Sequence, residues 1–121
     1  KGKGIFIAGG AGITPFLAIF RDLHGRNELA GNKLFLANKT RADIILEDEL
    51  RGMLGSDFIN ILSREQAEGY LSGHISEQLL REHAVDISGR FYLCGPPAMM
   101  KSVTDILATL GVDTRAVTMD L

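Results

Sequence analysis

The chain has 121 residues, 45% of them apolar and 23% charged, with a formal net charge of −2. This is the size and balance of one globular domain. The near-neutral charge gives no electrostatic reason to expect nucleic acid or an anionic membrane surface as partner, and no apolar run approaches the ~20 residues of a membrane helix. A single cysteine, Cys94, excludes an internal disulfide and suits a reducing, cytoplasmic setting.

Residues 5–8 form a short unbroken apolar run and read as a strand buried on both faces. The run breaks into Gly9-Gly10-Ala11-Gly12-Ile13-Thr14-Pro15. Glycines let the backbone turn tightly and approach a ligand with no Cβ in the way. Thr14 is expected as the N-cap of the helix that follows and Pro15 as its first residue, where a missing N–H costs little. Strand, glycine turn and helix start together make an anion cradle, so a phosphate-bearing ligand is the natural guest. The spacing Gly10-x-Gly12-x-x-Pro15 puts proline where the common dinucleotide fingerprint has its third glycine, and a plain tight loop is the competing reading. No Gly-Lys-Ser/Thr ending follows, which disfavours a nucleoside-triphosphate P-loop.

The first helix is expected over residues 15–24, with Phe16, Leu17, Phe20 and Leu23 inward and Gly25 as its stop. Residues 34–37 are the second buried strand, ending at Asn38-Lys39. Thr40 and Asp43 suggest a capped start to a second helix carrying Ile44, Ile45, Leu46, Leu50, Met53 and Leu54, closed by Gly55. Glu47, Asp48 and Glu49 on that helix read as a solvated face. Residues 58–62 are the third strand, left through Ser63-Arg64-Glu65, and the polar stretch 66–73 reads as a surface loop. Ser76 caps a third helix, with Ile75 placed to staple against Leu80. After a turn at 86–89, residues 91–94 are a fourth buried strand that breaks at Gly95-Pro96-Pro97. Met99, Val103, Ile106, Leu107 and Leu110 mark the core face of a fourth helix stopped by Gly111, and residues 116–119 a last short strand. His24, His74 and His83 show no metal-ligand spacing.

Strand and helix alternate throughout, the signature of an α/β fold with a parallel sheet covered on both faces. The expected architecture is a doubly wound five-stranded parallel sheet of order 3-2-1-4-5, in one domain over residues 1–121. In that order the first and fourth strands are neighbours, and their outgoing loops flank the switch point where ligands bind. Both unusual loops of the chain leave those two strands.

The pair Gly9-Gly10-Ala11-Gly12-Ile13-Thr14-Pro15 and Cys94-Gly95-Pro96-Pro97-Ala98-Met99 resembles the nicotinamide-binding domain of the ferredoxin–NADP reductase superfamily. Asn38-Lys39-Thr40-Arg41-Ala42-Asp43-Ile44 is similar to the segment after the second strand in its bacterial flavodoxin and ferredoxin reductases. The resemblance covers essentially the whole chain. It implies a domain that docks NAD(P)H against FAD held by a β-barrel domain. That barrel is expected to be absent from this chain, because the first strand begins almost at Lys1.

The resemblance further implies that Gly10, Gly12, Thr14 and Pro15 contact the pyrophosphate and nicotinamide ribose. It places Cys94 beside the nicotinamide ring, where it helps aim the hydride, and Gly95, Pro96 and Met99 along the nucleotide. Taken alone, a cysteine ending a buried strand is a small packing residue, and Met99 reads equally as core. An acid after the second strand binds the ribose 2′-hydroxyl of NAD, whereas a cation there accommodates a 2′-phosphate. Here stand Asn38, Lys39 and Arg41 instead of an acid, and Ser63-Arg64 resembles the pair that holds the 2′-phosphate in NADP-using members. The cofactor expectation leans to NADPH with NADH open. Tyr70 is a candidate for stacking on adenine, and Asp120 for an acid near the nicotinamide. The expected function is hydride transfer from NAD(P)H to FAD and onward to a flavodoxin- or ferredoxin-like carrier, against the alternative of a non-catalytic nucleotide-binding or interaction module.

Overall fold

The computed structural model describes residues 4–83, 89–113 and 117–119. The Asp120 assignment and the turn before Gly89 therefore lie outside the described residues. Six parallel strands form one sheet: β1 (Gly4–Gly9), β2 (Lys33–Asn38), β3 (Phe58–Leu62), β4 (Leu71–Ser72), β5 (Arg90–Cys94) and β6 (Val117–Met119), in the order β4-β3-β2-β1-β5-β6. The expected order of the five long-range strands is thus observed, but the sheet has six strands rather than five. The addition, β4, lies in the stretch read as surface loop. Its Leu71 and Ser72 pair with Ile61 and Leu62, a two-residue ladder too short to leave an alternating pattern.

The helices are α1 (Thr14–Gly25), α2 (Glu47–Leu54), α3 (Glu77–His83) and α4 (Pro97–Thr109). They cover both faces because β1, β2, β3 and β5 are apolar on both. On one face Phe6, Ala8, Leu34, Leu36 and Phe58 pack with Phe16, Leu17 and Phe20 of α1 and with Leu50 and Leu54 of α2. Phe6 organises this layer, stacked on Tyr92 at 4.5 Å and edge-on to Phe16 and Phe20. On the other face Ile5, Ile7, Phe35, Ile61, Phe91 and Leu93 pack with Leu79 and Leu80 of α3 and with Val103 and Leu107 of α4. The expected cap of α3 is present, Ser76 Oγ accepting from the Leu79 N–H at 3.2 Å. Buried Asn32 ties the sheet's other end, its Oδ1 accepting from the Gly4 N–H at 2.7 Å and its Nδ2 donating to the Leu29 carbonyl at 2.8 Å.

Three local readings need correction. Thr14 is already helical and its hydroxyl caps nothing, because a 3-10 turn over Gly10–Ile13 runs directly into α1. Gly25 stays within α1, and the left-handed residue that ends the turn is Asn27, at φ 56°. The capping box of Thr40 and Asp43 starts a short 3-10 turn, Arg41–Asp43, instead of α2. Three consecutive apolar residues cannot share one helical face, and Leu46 turns left-handed (φ 53°, ψ 42°), leaving Ile45 and Leu46 exposed before α2 begins at Glu47. No helix among the described residues is long and apolar enough to cross a membrane.

Candidate functional site

β1 and β5 are paired with Ala8 opposite Cys94, so the two glycine-bearing loops leave side by side. They meet backbone to backbone. A Cβ on Gly12 would overlap the Cys94 carbonyl and lie 2.9 Å from the Gly95 nitrogen. A Cβ on Gly95 would lie 2.8 Å from Met99 Cε, and one on Gly9 2.5 Å from Met99 Sδ. Gly10 serves differently: it has open space around it but φ +54°, the left-handed geometry that glycine adopts without strain.

Beside this contact, at the carboxyl end of the sheet, lies a cleft of about 650 Å³, within the usual size of small-molecule sites. Its wall comprises Gly9, Gly10 and Ala11 from the first loop, Ala37, Asn38, Lys39 and Asp43 after β2, and Ser63 after β3. Gly73, His74 and Ile75 close one side, and Pro96, Ala98, Met99, Ser102 and Val103 of α4 and its entry close the other. Of the expected residues, Gly10, Asn38, Lys39, Ser63, Pro96 and Met99 are thus gathered in one wall. Gly12, Thr14, Pro15, Arg64, Cys94 and Gly95 lie off it. Cys94 packs toward the α1 and α2 face and Met99 toward the α3 and α4 face, so the two candidates sit on opposite sides of the sheet's carboxyl edge.

The wall fits an anionic, acceptor-rich ligand. The N-terminus of the thirteen-residue α4 stands at the cleft with no acidic residue in its first turn. The Ala98 and Met99 N–H groups there have no intrahelical acceptor, and they stand at the positive end of the helix dipole. The Nδ2 of Asn38 is buried without a hydrogen-bond partner, as is Oδ1 of Asn60 on the neighbouring strand. A buried donor left unpaired costs roughly 1–3 kcal/mol, which an incoming acceptor recovers in part. As site residues Asp43, His74, Ile75 and Ser102 escaped the sequence reading, and only Asp43, five residues past the end of β2, carried a usable signal.

The loops after β2 and β3 run as an extension of the sheet, with Ser63 N–H donating to the Asn38 carbonyl and Arg64 N–H to the Lys39 carbonyl, both at 2.9 Å. Asp43 accepts from the Thr40 N–H at 3.2 Å and the Thr40 hydroxyl at 3.0 Å, which fixes its carboxylate on the cleft wall. Tyr70 does not face the cleft. Its hydroxyl donates to Glu47, its ring lies under the Arg41 guanidinium at 5.3 Å and that of Arg51 at 6.0 Å, and Arg51 donates to Glu47 at 2.9 Å. Glu47 is therefore no solvated helix residue. Burial opposes its charge, yet hydrogen bonds from Tyr70 and Arg51 and the charges of Arg41 and Arg51 hold its carboxyl below the usual range. The same hydrogen bond, with burial, pushes the Tyr70 phenol up.

The model of the oxidoreductase NAD-binding domain family matches residues 6–105. The chain belongs to that family. This NAD-binding domain is similar to NADH-cytochrome b5 reductase 1 of Eremothecium gossypii, 37% identical over 119 residues that cover 88% of the chain and 41% of the reductase. It superposes on the FAD/NAD-binding domain of nitric oxide dioxygenase from Vibrio cholerae with a TM-score of 0.89 at 26% identity, covering 99% of the chain and 51% of that structure. A ferredoxin NADP+ reductase of Neisseria gonorrhoeae, solved with FAD and NADP, shares the fold with a TM-score of 0.78 at 24% identity, covering 99% of the chain and 56% of that structure. The likeness to the ferredoxin–NADP reductase superfamily is borne out. The NAD-binding domain spans about two-fifths of the length of the curated relative it matches.

Proposed function

We propose that this domain docks NADH for hydride transfer to FAD held by a companion domain, as part of a reductase that passes electrons to a protein carrier. The observation that carries the reading is the backbone meeting of the β1 and β5 loops at the switch point, beside a cleft that ends on the α4 N-terminus. In this reading the adenosine half lies in the cleft against Pro96, Met99 and Ile75, and Asn38 Nδ2 donates to it. The pyrophosphate crosses the sheet edge over the Gly10 turn and the first N–H groups of α4, and the nicotinamide half reaches Thr14 and Cys94 on the other side. The bound dinucleotide supplies the hydride. The chain supplies orientation, with Gly12 fixing the separation of the two loops and Cys94 shaping the ring's seat.

The resemblance suggested flavodoxin or ferredoxin as the carrier. The relative from Eremothecium gossypii is named for cytochrome b5, which supports a small one-electron protein as the carrier class. The ribose end supports NADH. Asp43 places a carboxylate on the wall, suited to a 2′-hydroxyl and repelling a 2′-phosphate, and the relative is named for NADH. Titration calorimetry of the chain with NADH and NADPH tests the binding half, with tighter NADH binding expected. The chain is expected to be colourless and to oxidise no NADH by itself, and mixing it with a separately made flavin domain restores turnover. Absence of NADH binding, or robust NADH oxidation without added flavin, overturns the reading.

A further inference from the structure

Arg41 lies two residues from Lys39 and two from Asp43, both on the cleft wall, yet its guanidinium is turned away. It sits 3.8 Å from Glu47 and over the Tyr70 ring, and Tyr70 and Arg51 both donate to the same half-buried carboxylate. Its backbone is pinned separately, the Arg41 N–H donating to Glu65 at 2.7 Å, while the Thr40 and Asp43 box holds the turn. The turn is therefore fixed whatever the side chain does, and a change in the placement of the guanidinium need not move the backbone.

We infer that Glu47 and Tyr70 form a lock that withholds Arg41 from the ribose 2′ position, so that NADH specificity depends on a cluster outside the cleft. This rests on the dinucleotide reading and adds to it. A carboxylate on the wall rejects a 2′-phosphate only if no guanidinium stands beside it, because an arginine matches phosphate oxygens in a bidentate fashion. Discrimination then has a repulsive part, Asp43, and a withheld attractive part, Arg41. Glu47 offers the guanidinium a carboxylate already fixed in place by two other donors, and the Tyr70 ring adds a cation–π contact. The residues of the lock come from three separate stretches, the turn after β2, α2 and the loop after β3.

The test measures NADH and NADPH dissociation constants for the wild-type chain, Glu47→Gln, Tyr70→Leu, Arg41→Ala and the double variant Glu47→Gln with Arg41→Ala. Opening the lock in Glu47→Gln or Tyr70→Leu is expected to tighten NADPH binding about tenfold, the scale of one charge-assisted hydrogen bond, with NADH changed less than about twofold. In the Arg41→Ala background the gain disappears, which separates an acting guanidinium from the mere loss of a negative charge. NADH affinity in each variant reports whether the site is intact. If NADPH affinity stays at the wild-type value while NADH binding is retained, or if the gain persists without Arg41, the lock is wrong. If the wild-type chain binds neither nucleotide, the failure lies in the dinucleotide reading instead.

Discussion

At the β1–β5 corner the protein is built from backbone. Gly9, Gly12 and Gly95 leave room for main chain and for Met99, and among the described residues no ion pair stabilises the contact. At the β2–β3 corner it is built from side chains: Arg41, Glu47, Arg51 and Tyr70 interlock through charge and an aromatic ring, and Glu65 binds a backbone N–H across the gap. Close backbone approach tolerates no substitution at the contact, whereas a charge cluster is adjustable one residue at a time. In the proposed function the first corner serves the part common to both dinucleotides and the second the part that differs between NADH and NADPH.

The comparison is broken most sharply at Gly12. Gly12→Ala drives a methyl into the Cys94 carbonyl and is expected to cost about 3 kcal/mol in chemical denaturation, the upper range for overpacking. Gly10→Ala meets open space and pays only for its left-handed φ, about 1–2 kcal/mol. Equal losses at the two positions would mean that the loops do not meet as described.

Next comes Glu47→Gln, expected to destabilise the fold by about 2 kcal/mol at neutral pH, the worth of hydrogen bonds to a charged group. The sign of the pH dependence follows from the depressed carboxyl of Glu47. Its contribution is complete above the unfolded glutamate value of about 4.3 and is lost as pH falls through the lower folded value. Thermal melts of the variant and wild type should therefore converge in acid; a constant gap would show that the ionised carboxylate is not the stabilising form.

Asp43→Asn sharpens the comparison by about tenfold in the NADPH to NADH affinity ratio, or ~1.4 kcal/mol, read by titration of both nucleotides. The smallest effect belongs to Arg64, which is exposed and off the cleft wall. Arg64→Ala should shift NADH affinity by less than about 0.5 kcal/mol. A selective NADPH loss of about 1–3 kcal/mol would place its guanidinium on the 2′-phosphate after all.

The two corners also differ in how far the sequence revealed them. Gly10, Gly12, Gly95, Pro96 and Met99 were legible as two loop motifs, because a left-handed turn and a close backbone approach demand particular residues at fixed local spacing. The Arg41, Glu47 and Tyr70 cluster was not, since its members are separated by up to 29 positions and each alone carried a different reading: a cation for a 2′-phosphate, a solvated helix face and a ring for adenine. The order of the main strands followed from the alternation of strand and helix and from the two unusual loops on the first and fourth strands, but β4 is held by two residues of ladder and leaves no pattern. Thr40 and Asp43 were correctly paired as a capping box, yet a box marks the start of any helical turn, and here it opens a 3-10 turn before the apolar run of Ile44, Ile45 and Leu46.

The brevity of β4 also bears on how this chain behaves among its own copies. Among the described residues the sheet's edges are short: the two residues of β4 with residues 58–60 of β3, which β4 leaves unpaired, and the three residues of β6. An unpaired edge templates addition of another chain in proportion to its free hydrogen-bonding length, and short edges offer too little ladder for a foreign strand to hold. The segment 66–73, read from sequence as a loop, therefore shortens the free ladder of β3 by covering Ile61 and Leu62, and no long unpaired strand remains among the described residues.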